Sequence, residues 1–443
     1  MNNQEPIRDA RTLGTPKMLV LGLQHLFAMF GATVLVPTLT GLSVQTTLFF
    51  AGLATLFCHL VTKKKIPVFL GSSFAFLGGY FAIAPNGEAE LLPYACFGVA
   101  CAGLLYAVLA LFCKVYGSKR VVRFFPPVVT GPIIIAIGLC LSSSAIQNCT
   151  QNWFIALVAI VVVIVCNLWG KGMVKIVPIL LGVVASYLVA ALTGNVDFTG
   201  VREAAWIGLP VKYQNTVFSI FTGGDLNTNL LLTAAVTIIP ISFATMMEHV
   251  GDISAIGSTV GQNFIEDPGL HRTLIGDGIG TAIAALFGAP ANTTYGENTG
   301  VLALTKVYDP RVIRLAAVFS IIISFCPKFA ELIHAMPAAT IGGVSLILYG
   351  MISAIGVRNV VENNVDFSNT RNIIIAALIL VLSIGINYGL EGGAIQIQAG
   401  NATIGLTGLA VASFVGIILN AVLPGRDEAF AEQPRDAGSL GRY

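Results

Sequence analysis

Long apolar runs recur along the whole chain, and they constrain its fold more than any other feature. They reach about 18 to 25 residues, the length that a helix needs to cross a bilayer core of about 30 Å. Of the 443 residues, 55% are hydrophobic and only 10% are charged. Soluble domains carry about 25% charged residues, so this chain could not cover a water-facing surface. The sequence therefore predicts an all-α, polytopic membrane protein.

The apolar runs fall into two sets of seven, separated by one long connection at residues 195–227. The first set of predicted spans is 17–37, 45–62, 66–85, 91–113, 124–145, 152–169 and 173–194. The second set is 228–253, 273–290, 291–307, 312–333, 335–355, 372–390 and 404–423. This count predicts fourteen spans: a first repeat at 17–194 and a second at 228–423, with tails at 1–16 and 424–443. The connection contains Trp206, Tyr213, Phe218 and Phe221, aromatic residues that favour a position at the membrane interface.

The Lys and Arg residues test this count, because the cytoplasmic loops of membrane proteins are enriched in them. With fourteen spans and a cytoplasmic N terminus, all of the 24 basic residues except Arg202, Lys212 and Lys328 fall on the inner side. Both termini are then cytoplasmic. Because seven is odd, the second set starts from the opposite side of the membrane. If the two halves are related, they form an inverted repeat, as in many secondary transporters.

Two stretches inside the apolar runs are polar and poor in helix formers. One is GSSFAF (71–76) in the third span, and the other is ANTTYGENTG (291–300) in the tenth. Transporters bind substrates where helices are interrupted near the membrane midplane. Extended backbone at that depth is tolerated only when protein buries it. We therefore expect a short extended break in each span, with the two extended segments pairing with each other.

Ionisable residues inside the apolar runs are candidate functional residues, because each costs about 2.5–3.5 kcal/mol to insert at the centre of a bilayer. Glu248 and Asp252 are four residues apart and share one helix face, and Glu297 lies in the broken tenth span. Glu248 and Glu297 have apolar surroundings without an adjacent Lys or Arg, which favours a functional role for both. Asp252 also fits a solvated position just beyond the membrane edge. His25, in the first span, fits either a packing hydrogen bond or a proton-linked role.

Other residues favour structural roles. His249 fits a packed, hydrogen-bonded histidine better than a site residue. The glycines of GDGIG (276–280) are typical of close helix packing. The eight cysteines contain no C-x-x-C pair and nearly all lie in apolar runs, which favours small buried side chains. No nucleophile–base pair and no metal-ligand spacing is apparent, so we expect neither an enzyme nor a cofactor other than a coupling proton, and no nucleic-acid partner.

At these residues the sequence resembles the nucleobase–ascorbate transporter family, and within it the bacterial branch that carries uracil. The residues 297–300 (ENTG), followed by Thr305 and Lys306, are similar to the family signature of an acid or amide, Asn-x-Gly, and then Thr and a basic residue. The longer matches are QHLFAMFGATVLVP (24–37), KIPVFLGSSFAF (65–76), EHVGD (248–252), DPGLHR (267–272), NTTYGENTG (292–300) and GGVSLILYG (342–350).

The resemblance implies a fold of two inverted seven-span repeats divided into two domains. The core domain would comprise about 17–113 and 228–333, and the gate domain about 124–194 and 335–423. It also implies proton symport by a homodimer in lipid, in the plasma membrane (the inner membrane of a bacterium).

The resemblance assigns site residues by position. Glu248 and Glu297 match the two acids that hold the base. Phe74 and Gly296 match residues whose backbone N–H groups meet the carbonyls of the base, with Tyr295 beside them and Ser73 in the same break as Phe74. His25 and Tyr349 match residues near the pocket and the gate. For the coupling proton the candidates are Glu248, Asp252, His25 and Glu297.

Two residues bear on which base is carried. Purine-selective relatives often have glutamine where this chain has Glu297, so the glutamate favours uracil. Asp252 stands where some uracil carriers have histidine, and an acid there is common in the purine branches, so xanthine or another oxopurine is the alternative. An anion exchanger of related fold is a weaker alternative, because two glutamates without a basic residue disfavour an anion.

Overall fold

The computed structural model describes residues 5–222, 226–399 and 402–425, and these are mostly helical. Residues 1–4 of the predicted N-terminal tail and 426–443 of the C-terminal tail lie outside that description. The first half contains α1 (Thr15–Thr40), α2 (Val44–Val61), α3 (Leu77–Ile83), α4 (Leu92–Tyr116), α5 (Ser118–Val122), α6 (Pro127–Cys140), α7 (Ser142–Thr150), α8 (Trp153–Trp169), α9 (Met173–Ile176) and α10 (Pro178–Leu192).

The connection between the halves contains α11 (Thr199–Glu203) and α12 (Phe218–Thr222). The second half contains α13 (Thr228–Ile238), α14 (Ile241–Val260), α15 (Leu270–Leu286), α16 (Gly296–Thr305), α17 (Pro310–Ser324), α18 (Pro327–His334), α19 (Ala338–Glu362), α20 (Thr370–Gly389) and α21 (Gly408–Val422). The strands are β1 (Leu70–Ser72), β2 (Asn292–Thr294), β3 (Ala394–Ala399) and β4 (Ala402–Thr407).

Several helices are long and apolar enough to cross a membrane. Within the described residues there are seven such helices, counting α6 with α7 and α13 with α14 as single spans, and eight if the bent pair α17–α18 is one span. Three shorter apolar helices are α8, α10 and α21. The multi-pass prediction is therefore confirmed, whereas the count of fourteen spans and the core–gate division stay predictions.

Some predicted boundaries are wrong. The span predicted at 312–333 bends by 88° between α17 and α18, where Pro327 starts a new helix after a non-helical Cys326. The span predicted to end at 253 continues to Val260, and the one predicted to end at 355 continues to Glu362. In both cases the added turns carry polar residues beyond the apolar run, and nothing in the local sequence stops the helix earlier.

The helices pack in two sets. The helices α4, α15, α2, α17 and α1 contact one another in that order, and α19 packs against α6, α7 and α8 while α20 packs against α6 and α21. The contact between α4 and α15 depends on glycines: a Cβ placed on Gly103 or on Gly278 would lie 2.6 Å from the carbonyl oxygen of the other. The prediction of close packing through the GDGIG glycines is thus confirmed.

The two predicted breaks are extended, and they pair. β1 and β2 form an antiparallel ladder in which Leu70 faces Thr294 and Ser72 faces Asn292. All residues of both strands are buried, as extended backbone inside a membrane protein must be. Pro67 and the glycine–serine run before α3 disfavour a helix at β1, and the β-branched Thr293 and Thr294 favour a strand at β2. The predicted pairing of the two breaks is confirmed.

A second sheet is absent from the sequence prediction. β3 and β4 form an antiparallel hairpin before α21, with Ala394 facing Thr407. The predicted start of the last span at 404 is therefore wrong, because residues 402–407 are strand and the helix begins at Gly408. The hairpin contacts the first helix of the same half, α13, where the Gly405 N–H donates to Thr237 Oγ1 at 3.3 Å.

Candidate functional site

The β1–β2 ladder places two helix starts side by side. β1 leads through Ser73 and Phe74 into α3, and β2 leads through Tyr295 into α16. The Ser73 N–H donates to Ala291 O at 2.8 Å, and the Tyr295 N–H donates to Phe69 O at 3.1 Å, so the pairing continues beyond the strands. No side chain caps the start of α16. The first N–H groups of a helix lack intrahelical acceptors, so this end offers donors to a ligand.

Tyr295 holds the two strands together. Its hydroxyl donates to Ser72 O at 2.9 Å and lies 3.2 Å from Ser72 Oγ. Its ring covers Gly71, where a Cβ would lie 2.5 Å from the ring atoms, and the side chain is 4% exposed. The hydroxyl is thus engaged by β1, and a direct contact of Tyr295 with substrate stays a prediction.

His25 joins α1 to α16. The Asn298 amide nitrogen lies 3.1 Å from His25 Nδ1 and donates to His25 O, also at 3.1 Å. Both side chains are almost completely buried. His25 Nε2 is buried without a hydrogen-bond partner among the described residues. The packing role predicted as one alternative for His25 is therefore present, and a proton-linked role stays untested.

The acids converge on this region. Glu248 interacts electrostatically with Glu297 and with Asp277, and Asp252 interacts with all three. Glu248, Asp252 and Glu297 are partly exposed, although each belongs to a helix in the interior of the fold. Glu248 Oε2 is buried and has no hydrogen-bond partner within the described chain. Asp252 lies one turn after Glu248 on α14 and two turns before the end of that helix.

Aromatic residues from the break after β1 and from α19 contact each other. Phe74 and Tyr349 of α19 contact each other edge to face, with ring centroids 5.7 Å apart and an interplanar angle of 75°. The Tyr349 hydroxyl lies beside Ser345 and Ser144. Gly296 faces Ile355 of α19, since a Cβ there would lie 3.4 Å from Ile355 Cδ1. Phe74, which follows β1, and Gly296 of α16 thus both lie against α19.

The strongest feature that sequence analysis missed is a buried contact between His249, the residue after Glu248, and Asp277. His249 Nδ1 lies 3.0 Å from Asp277 Oδ2, with side-chain exposures of 1% and 0%. His249 Nε2 lies 2.9 Å from Thr273 Oγ1, and the Tyr106 ring packs edge-on at 6.4 Å. The prediction that His249 is packed and hydrogen-bonded is confirmed. Asp277 was noted only as part of a glycine packing motif, although an acid inside an apolar run is itself a signal.

The arrangement can bind a flat, neutral, polar molecule. Carboxylates accept hydrogen bonds, helix starts donate them, and aromatic rings pack against planar groups.

All eight cysteines are free thiols that form no disulfide. No group of three or more possible metal ligands occurs among the residues that the structure describes.

Comparisons with known proteins agree with this picture. The sequence model of a family described as Permease family matches residues 16–392. The chain is 39% identical over 432 residues to the uracil permease of Bacillus caldolyticus, which covers 96% of this chain and 95% of that protein. It is 38% identical over 446 residues to the uracil permease of Bacillus subtilis, covering 98% of each. Identity to the uracil permease of Escherichia coli K12 is 36% over 413 residues, covering 91% and 90%.

Solved structures of similar fold are more distant in sequence. The transmembrane domain of the cyanobacterial bicarbonate transporter BicA superposes with a TM-score of 0.59 at 16% identity, covering 94% of this chain and 99% of that one. The structure of SLC26A9 gives a TM-score of 0.64 at 11% identity, covering 91% of this chain and 64% of that one. At these identities the likeness shows the fold alone.

Proposed function

The chain belongs to the permease family of the nucleobase–ascorbate transporters, which are multi-pass membrane proteins, and on this premise we propose that it imports uracil together with protons. The observation that carries the proposal is the convergence of Glu248 and Glu297 on the helix starts that follow β1 and β2. The relatives named uracil permease, at 36–39% identity over nearly the whole chain, support the choice of substrate.

Uracil matches the hydrogen-bonding groups of this site. Its ring edge alternates N–H donors with C=O acceptors. Glu248 and Glu297 accept from the ring N–H groups, while backbone N–H groups at Phe74 and Gly296 donate to the carbonyls. The Phe74 ring packs against the flat base, and Ser73, Tyr295 and Tyr349 complete the surroundings.

The coupling proton resides on the acids in this proposal. Glu248 or the Glu248–Asp252 pair carries it, because several carboxylates close together repel one another when all are ionised. His25 and Glu297 are the further candidates. Binding and release of uracil then change the water and charge around Glu248, which couples the proton to the substrate.

The transport cycle in this proposal is alternating access, with one set of helices moving against the other around the site. The protein works as a homodimer in the plasma membrane of a bacterium, with both termini in the cytoplasm. The distribution of basic residues supports that orientation.

The second candidate substrate is an oxopurine such as xanthine. It is favoured by Asp252, which lies among the acids of the site and adds an acceptor beyond those that a pyrimidine needs. An anion exchanger of related fold is disfavoured by the same acids.

Radiolabelled uracil uptake tests the proposal. We would express the chain in bacteria that lack their own uracil carrier, with and without a protonophore, and add unlabelled uracil or xanthine as competitor. Protonophore-sensitive uptake that uracil but not xanthine blocks is the expected result. Uptake of labelled xanthine without uptake of uracil would select the oxopurine alternative, and failure to accumulate either base would refute nucleobase import.

A further inference from the structure

The chain before α1 is docked on the protein. We call residues 5–13 the N-terminal strap. Within it Ile7 forms a parallel β-bridge with Val307. The Ile7 N–H donates to Lys306 O at 2.9 Å, and the Tyr308 N–H donates to Ile7 O at 2.8 Å. The strap thereby extends along the linker that follows α16.

Charged side chains fix the strap at two further points. Arg8 Nη2 donates to Val260 O, the carbonyl of the last residue of α14, at 2.9 Å. Arg311 in the first turn of α17 pairs with Asp9 at 2.8 Å. These contacts lie at opposite sides of the strap and involve two different helices.

Asp309 links the strap to the start of α17. Its carboxylate accepts from the Ala10 N–H at 2.7 Å and from Arg311 Nη1 at 3.1 Å. Asp309 is also the N-cap of α17, where it accepts from the Arg311 N–H. Ala10 and Asp309 are both buried, so water competes little for this bond.

One short segment therefore contacts three helix ends: the C termini of α14 and α16 and the N terminus of α17. Glu248 lies about 18 Å along α14 from Val260, and Glu297 lies about 12 Å along α16 from its last residue, Thr305, at 1.5 Å per residue. Because a helix is stiff over such lengths, moving its end displaces the acid that it carries.

Of the three helices, α16 is the shortest, and its position is set by the contacts at its two ends. Its ten residues start at the β1–β2 ladder and finish at the strap. A cavity of about 660 Å³ lies between the strap, the first turns of α1 and the end of α16. Ile7, Ala10 and Leu13 of the strap also pack in an apolar cluster with Val307 and Val312, and the bridge and the charged contacts add directional bonds to that packing.

We propose that the N-terminal strap is a positioning element for the substrate site: Arg8 holds the end of α14, the Ile7 bridge holds the end of α16, and Asp9 with Arg311 holds the start of α17, so that Glu248 and Glu297 keep the separation that the nucleobase requires. Ile7, Arg8, Asp9 and Arg311 are positioning residues and do not touch the substrate. The inference rests on the proposed function for the role of the two acids.

A double variant, Arg8→Gln with Arg311→Gln, tests the proposal, with Arg11→Gln as the matched control. Arg11→Gln removes one positive charge, against two in the double variant, and the Arg11 side chain pairs with Asp9 of the strap itself. We expect the KM for uracil uptake to rise about three- to tenfold in the double variant at an unchanged amount of protein in the membrane, and to stay at the wild-type value in the control. An unchanged KM in the double variant would overturn the proposal.

A crosslink separates positioning from a general loss of stability. Ile7→Cys with Val307→Cys places two cysteines on bridged neighbours, where the Cα spacing suits a disulfide. Added to the double variant and oxidised, this bond should return the KM to within about twofold of the wild-type value. If the bond forms, as shown by peptide mapping, and the KM stays high, the strap does not act through position.

Hydrogen–deuterium exchange gives a readout that needs no substrate. The double variant should exchange faster than wild type in α16 and in the last turn of α14, with α4 unchanged. Equal exchange of these helices in the double variant and in wild type would overturn the strap proposal, whatever the KM of the double variant. If the wild-type chain takes up no nucleobase while exchange responds as expected, the strap stands and the proposed function fails.

Discussion

Tyr295→Phe distinguishes a residue that ties two strands together from one that binds the substrate. The substitution removes one oxygen and leaves the ring over Gly71. It deletes the hydroxyl that donates to Ser72 O at 2.9 Å and lies 3.2 Å from Ser72 Oγ. Because Tyr295 is 4% exposed, water does not readily replace the lost donor.

The expected cost follows from these two contacts. A hydrogen bond contributes about 0.5–1.5 kcal/mol net, and a buried acceptor left without a donor costs about 1–3 kcal/mol. We therefore expect the free energy of unfolding to fall by about 1–3 kcal/mol. Gly71→Ala should lower it similarly, since its Cβ would overlap the same ring and overpacking costs about 1–3 kcal/mol.

The assay combines thermal unfolding in detergent with uracil uptake. If the hydroxyl acts on the strands, the melting temperature of Tyr295→Phe falls while the KM stays within about threefold of the wild-type value. If the hydroxyl binds the base, the KM rises at least about tenfold, which corresponds to 1.4 kcal/mol, and the melting temperature is unchanged. That second outcome would refute the reasoning.

Three further predictions concern other parts of the site. Glu248→Gln should lose protonophore-sensitive accumulation and retain exchange of labelled for unlabelled uracil, because the amide cannot take up the proton; unchanged accumulation would contradict this. Asp277→Leu should lower the free energy of unfolding by about 1–3 kcal/mol, the cost of leaving the buried His249 Nδ1 without the carboxylate that lies 3.0 Å away; an unchanged melting temperature would rule that out. Gly103→Leu should abolish folded protein on size-exclusion chromatography, because the side chain would meet the backbone of Gly278, and a monodisperse, stable variant would disprove the close packing.

The paired breaks could be predicted because two independent signals coincide in them. The stretches 71–76 and 291–300 are poor in helix formers, and membrane-depth backbone without a helix needs a partner. If the two breaks pair with each other, each supplies the backbone hydrogen-bond partners that the other lacks. The register, with Gly71 opposite Thr293, was beyond sequence analysis, because three residues per strand contain too little alternation to set it.

The β3–β4 hairpin was missed for a different reason. Residues 395–398 alternate Ile with Gln, which is the period of a strand. Counting apolar runs by total hydropathy ignores that period, so the last span was extended backwards over β4. The hairpin lies on Thr237 of α13, and such a contact between distant parts of the chain has no local signal.

Asp277 could have been found from sequence but was not. It stands between Gly276 and Gly278, which do pack closely against Cys58 and Tyr106. Close helix packing explains the two glycines, but it does not explain a carboxylate between them, which needs a polar partner in the interior. Its partner His249 is 28 residues away on another helix, so the pair becomes visible only when α14 and α15 are placed side by side.

The substrate follows from the side chains of the site and not from the fold. BicA, a bicarbonate transporter, shares this fold with the chain at 16% identity, so the same architecture serves a protein whose substrate is an anion. In this chain no Lys or Arg occurs at residues 213–271 or 273–305, the segments that carry all four acids of the site. A like charge 4 Å from a carboxylate is repelled by about 4 kcal/mol at an effective dielectric constant of 20. A site with Glu248 and Glu297 ionised therefore disfavours an anion by several kcal/mol, whereas a neutral base with N–H donors satisfies the same oxygens.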